Sequence, residues 1–192
     1  MILLTLISSS EKKSVTVAEC KKDLRLQHSI DDEYISGLID AAYAYLGGVN
    51  GVLGGKVLDT ESWQYKTLQP SSIAILPLTP AQELTSMSYY DLDNSVQQID
   101  ISDYTLYSDE DCAYIEPNPN ISWPAMFDRI DALTINFVAG FTSTPDNLNK
   151  AIRFIVAHWF ENRTVTSDRP VNEIPMAAES LINISRKGWV SA

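Results

Sequence analysis

The hydrophobic residues of this chain change their period twice, and that pattern limits the folds open to it more than any other feature. Near the N-terminus they recur at three and four positions, first Val17, Cys20 and Leu24, then Ile35, Leu38, Ile39, Ala42, Tyr43 and Leu46. Such spacing places them on one face of a helix. From Trp63 the pattern shortens into runs rich in aromatic and β-branched residues, at Trp63 to Leu68, Ile73 to Leu76, Leu84 to Tyr90, Tyr104 to Tyr107 and Leu133 to Val138. Clusters of Pro, Asp and Asn separate these runs, as in hairpins and a meander. After Pro145 and Asp146 the helical period returns, with Leu148, Ile152, Ile155, Val156, Trp159 and Phe160 on a wide apolar face and Lys150, Arg153 and Glu161 on the other.

The order helix, helix, strands, helix, helix predicts an α+β fold. N- and C-terminal helices are expected to pack as a helical core, with a β-rich hairpin or meander segment projecting from them. A length of 192 residues fits one folding unit over 1–192, with a helical part at 1–58, a β-rich acidic part at 59–146 and a helical part at 147–192. Local signals sharpen the boundaries. Thr16 followed three positions later by Glu19 has the spacing of a capping box. Asp31, Asp32 and Glu33 place negative charge where a helix N-terminus favours it, and Gly47 and Gly48 end that helix. Pro175 starts a last helix running through Leu181 and Ile184. The Gly-rich stretch from Gly47 to Gly55 is expected to be an exposed loop, and Thr164 to Pro170 another. The apolar run Ile2 to Ile7 is too short for a membrane span and lacks a preceding Lys or Arg, so it reads as a short strand rather than a signal peptide.

Charge is distributed unevenly. Residues 1–58 hold 7 acids and 6 bases, 59–146 hold 14 and 2, and 147–192 hold 4 and 6, so the middle carries the excess behind the net charge of −11. An acidic surface disfavours adhesion to nucleic acid and anionic lipid, because Coulomb repulsion replaces the counterion release that drives binding. Cys20 and Cys112 are the only cysteines and form no CxxC, which gives no disulfide framework or cysteine zinc site and fits a reducing cytoplasm.

The candidate chemistry is sparse. His28 and His158 lie far apart and form no triad or metal motif. Asn50 to Val57, NGVLGGKV, departs from a phosphate-binding loop at its first glycine and at Val57, where Ser or Thr would hold magnesium. Asp91, Asp93 and Ser95 imitate the start of a calcium loop, but Val96 replaces the required glycine and Ser102 the closing Glu. Asp91 to Asn94 therefore reads as the turn of a hairpin between Ser88–Tyr90 and Val96–Gln98. Asp109, Glu110 and Asp111 form the densest acidic run, expected to be a solvated loop. No catalytic, cofactor-binding or metal-binding residue is assigned.

Several stretches in order resemble the head-to-tail connector, or adaptor, family of tailed phages, whose members are also described as phage proteins with a DNA-packaging role. They are Thr16-Val17-Ala18-Glu19 with Asp31-Asp32; Ile75-Leu76-Pro77-Leu78-Thr79-Pro80; Leu84 to Asp91; Trp123-Pro124; Ile135 to Phe141; and Ala151 to Arg163, AIRFIVAHWFENR. The resemblance implies a non-enzymatic structural protein of a phage or prophage virion, assembled in the host cytoplasm. It implies a ring, with the isolated chain a monomer as the other state, docked on the portal and meeting a tail-completion or stopper protein. DNA passes nearby without specific binding, and no cofactor or membrane is involved. Within that reading Ile152, Ile155, Val156, Trp159 and Phe160 are expected as core or ring interface, with Arg153, Glu161 and Arg163 as polar contacts at its rim. The alternatives are another neck or tail-completion ring protein, and a metal-dependent packaging nuclease built on Asp109, Glu110 and Asp111.

Overall fold

The computed structural model describes residues 3–9, 13–163 and 174–186 and has an α+β fold. The chain divides into two compact units, one from Met1–Glu11 with Gly55–Thr142 and one from Lys12–Gly54 with Ser143–Ala192. The first is built of strands and the second of helices. The N-terminal strand belongs to the first unit, and the helical unit draws on two separate stretches of the chain.

The sheet unit contains β1 (Leu3–Ser9), β2 (Glu61–Thr67), β3 (Ala74–Ile75), β4 (Ala81–Tyr90), β5 (Val96–Ile99), β6 (Tyr104–Ser108), β7 (Ala113–Pro117) and β8 (Leu133–Ala139). A five-stranded antiparallel sheet runs β1-β2-β8-β4-β5, and a three-stranded one runs β3-β7-β6. At the centre of the larger sheet, β8 alternates strictly, burying Leu133, Ile135, Phe137 and Ala139 and turning Thr134, Asn136 and Val138 the other way. Register puts Phe137 opposite Trp63 on β2 and Leu84 on β4, so the neighbours' apolar residues fall on the same face. Met87, Leu133 and Phe137 share one core with Ala74, Tyr104 and Ile115 of the smaller sheet. Trp123 closes it, tilted on Tyr104 at 4.6 Å with its indole N–H donating to the Ser72 carbonyl at 2.9 Å. Gly140, just past β8, has φ +121, and a Cβ there would lie 2.0 Å from the Asp59 carbonyl oxygen. Only glycine allows that approach.

The helical unit contains α1 (Val17–Leu24), α2 (Asp32–Leu46), α3 (Asp146–Glu161) and α4 (Met176–Ser185). The capping box forms as expected: Thr16 Oγ1 accepts from the Glu19 N–H at 3.3 Å, and Glu19 Oε2 accepts from the Thr16 N–H at 2.8 Å. The Thr16 hydroxyl, which donates to Glu19 Oε2 at 2.7 Å, and after it the Thr16 N–H hold the Glu19 carboxyl below its usual range. Gly47 ends α2 as read from sequence. Helix α3 is the hub, touching α1, α2 and α4. It buries Leu148, Ala151, Ile152, Ile155 and Val156, while α2 buries Ile35, Ile39, Ala42 and Leu46 and α4 buries Ala178 and Ile182.

The stretch Gly47 to Gly55 is the loop expected, with Val49, Asn50 and Gly54 exposed, but it is not exposed throughout. Leu53 is fully buried, and the Val52 and Leu53 N–H groups donate to the Tyr45 and Leu46 carbonyls at 3.0 and 3.1 Å. Chain reversal against the end of α2 requires Gly51, since a Cβ there would meet the Gly47 carbonyl at 2.3 Å. The glycines serve a tight fold-back that seats an apolar side chain. The loop expected at 164–170 lies outside the described residues.

Candidate functional site

The residues singled out from Ile152 to Arg163 separate into three groups. Ile152, Ile155 and Val156 are fully buried. Trp159 and Phe160 are only half-buried, Trp159 set edge-on to Tyr45 at 6.2 Å and Phe160 tilted on Tyr34 at 5.9 Å. The third group consists of Arg153, Glu161 and Arg163, and both arginines are used inside the helical unit. Arg153 makes a two-pronged pair with Asp23 on α1, its Nε at 2.6 Å. Arg163 donates to Asp31 at 2.8 Å and lies over the Tyr34 and Phe160 rings at 4.6 and 4.3 Å. These contacts staple α3 to α1 and to the start of α2, and a planar guanidinium suits both the carboxylate fork and the ring faces. Glu161 is exposed.

The acidic run closes the β6–β7 hairpin. Asp109 accepts from the Asp111 and Cys112 N–H groups, both at 2.7 Å, which fixes the turn. Glu110 and Asp111 remain exposed but face Lys56 Nζ at 3.6 and 3.1 Å. Lys56 itself is 2 % exposed. Sequence reading missed this pairing, because Lys56 and Asp111 are distant in the chain and only the fold brings them together. Asp91 likewise acts as a turn residue, accepting from the Asp93 and Ser95 N–H groups at 3.0 and 2.9 Å and from Gln97 Nε2 at 2.8 Å. These bonds, led by the one from Ser95, hold its carboxyl below the usual range.

Among the described residues no group of three or more His, Cys, Asp or Glu side chains is arranged to hold a metal ion. His28 Nδ1 lies 3.8 Å from Asp31, and His158 Nδ1 lies 3.3 Å from the Asn162 amide. Cys20 is buried, which pushes its thiol up to about 11, whereas Cys112 is exposed. No described helix is long and apolar enough to cross a membrane.

What remains is surface. An open groove of about 590 Å³ lies along α2, lined by Ile30, Glu33, Tyr34, Gly37 and Leu38. A second, of about 450 Å³, is lined by Tyr45 and Val52 together with Ile174, Glu179, Ile182 and Arg186 at α4. Neither is lined by a His or a Cys, and each holds a single carboxylate side chain.

No family model matches this chain, and no curated protein does. Solved structures do share its α+β fold over nearly the whole length. A chain from the neck of an empty gene transfer agent (GTA) particle, computed with C6 symmetry, is 20% identical with a TM-score of 0.78, covering 98% of this chain and 97% of that one. A chain of the native GTA virion is 20% identical with a TM-score of 0.75, over the same shares. One from the neck of the native particle, computed with C12 symmetry, is 18% identical with a TM-score of 0.71, again covering 98% and 97%.

Proposed function

We propose that this chain is a structural head-to-tail connector subunit of a tailed phage or prophage. In this reading it forms a ring that docks on the portal and joins capsid to tail around the DNA channel. The observation that carries it is the end-to-end likeness of fold to chains of GTA necks, at a TM-score of 0.78 with 98% of this chain covered. Coverage of both chains matters, since a shared fragment would carry no role for the whole. The ordered sequence resemblance to phage adaptors supports the same reading, as do the two open grooves of the helical unit. A fold hosts many functions, so the role rests on the assembly in which the similar chains occur.

A closed ring needs heterologous contacts, one patch meeting a different patch on its neighbour. The portal beneath the ring and a tail-completion or stopper protein above it are the partners of this reading, and the virion is its location. Solution mass measured with and without the portal protein of the same phage tests it. The expected result is a discrete ring on the portal, whether or not the isolated chain is a monomer. A chain that stays monomeric in the presence of portal overturns the proposal.

A further inference from the structure

The three most exposed large hydrophobic side chains among the described residues all lie in the helical unit: Ile30 at 87 %, Met176 and Ile184 at 75 %. They form two patches of opposite shape. Ile30 borders the groove along α2, with Tyr34, Gly37 and Leu38. Met176 and Ile184 protrude from α4 on one face, with Ser180 between them, opposite the buried Ala178 and Ile182. A surface helix ordinarily turns charge outward. Helix α4 has Glu179 as its only charged residue, and its outer stripe of Met176, Ala177, Ser180 and Ile184 has none.

Electrostatics selects the occupant. The sheet unit holds 14 acids and 3 bases, whereas the helical unit holds 11 of each. Two copies approaching through their sheet units bring net charges of like sign together, and approach through the neutral helical units avoids this. The α2 groove has Glu33 at its rim, and the base beside it, Arg163 over the Tyr34 ring, is already paired with Asp31. The α4 stripe brings no acid to that rim and ends beside Arg186. Gly37 sits in mid-helix where a Cβ would meet nothing within 4 Å, so the space over it is open to another chain.

We infer that the outer face of α4 in one copy packs into the α2 groove of the next copy of this chain. Each helical unit then carries both halves of a head-to-tail contact, one convex and one concave. This rests on the ring reading and names the surfaces that close the ring.

The test is a cysteine pair, Gly37→Cys with Ile184→Cys, in a Cys112→Ser background, oxidised mildly while assembled on the portal. A ladder of disulfide-linked dimers, trimers and larger species is expected, collapsing on reduction. Either single variant links two chains at most. In parallel, Ile184→Asp is expected to weaken self-association at least about tenfold with its unfolding midpoint unchanged, because the side chain faces solvent in the single chain. An assembled ring that gives no ladder, a disulfide within one chain, or an Ile184→Asp variant that assembles like the wild type overturns this contact and leaves the ring reading standing. A wild-type chain that never assembles on the portal removes the ring reading itself.

Discussion

Lys56 shows how a residue acquires its role from packing. Its stem is enclosed at 2 % exposure, while its carboxylate partners Glu110 and Asp111 are 64% and 59% exposed. Water screens the pair, so its attraction contributes little, and the apolar stem accounts for most of the effect. Lys56→Ala is expected to cost about 2 to 3 kcal/mol in chemical denaturation, and Lys56→Met less than about 1 kcal/mol. Equal losses in the two variants would show that the charge dominates. The NGVLGGKV stretch gave no hint of this, since burial of Lys56 depends on Thr79, bridged to it across the fold, and on the distant β6–β7 turn. The Asp91 turn was legible, because its hydrogen bonds are made to residues two to six positions away.

At the level of elements, local signals did well. The capping box of α1, the glycine end of α2, the proline start of α4 and the β4–β5 hairpin all depend on neighbours in sequence. Sequence could not grade burial along α3. Period alone put Trp159 and Phe160 with Ile152 and Ile155, yet the last turn of the helix reaches past the core and meets Tyr45 and Tyr34 at its edge. A fully buried Trp would lose about 3 to 5 kcal/mol on truncation to Ala, and half-burial lowers the expected loss for Trp159→Ala to about 2 kcal/mol. Thermal unfolding with calorimetry measures it. A loss in the fully buried range would mean that Trp159 is enclosed more completely than its edge contact with Tyr45 indicates.

For the whole molecule, the division into units sharpens the charge pattern. Residues assigned to the sheet unit carry the entire net charge of −11, and those of the helical unit sum to zero. In the connector reading, an acidic sheet unit facing the channel keeps DNA from adhering during packaging and ejection. The purified chain is expected to show no binding to duplex DNA by fluorescence anisotropy at about 10 mM salt, where attraction to phosphates is least screened. Binding that weakens as salt is added would overturn that role for the acids.

The sequence by itself determined the α+β class and the order of the elements other than β7, because periodicity, caps and turn chemistry act within a few residues. Tertiary structure decided what depends on chain-distant contacts. It joined the N-terminal strand to β2, seated Leu53 against the end of α2 and enclosed Lys56. It also committed Arg153 and Arg163 to internal staples and left Met176 and Ile184 facing outward. A helix pattern states which residues share a face, and only the packed fold states which faces are already covered.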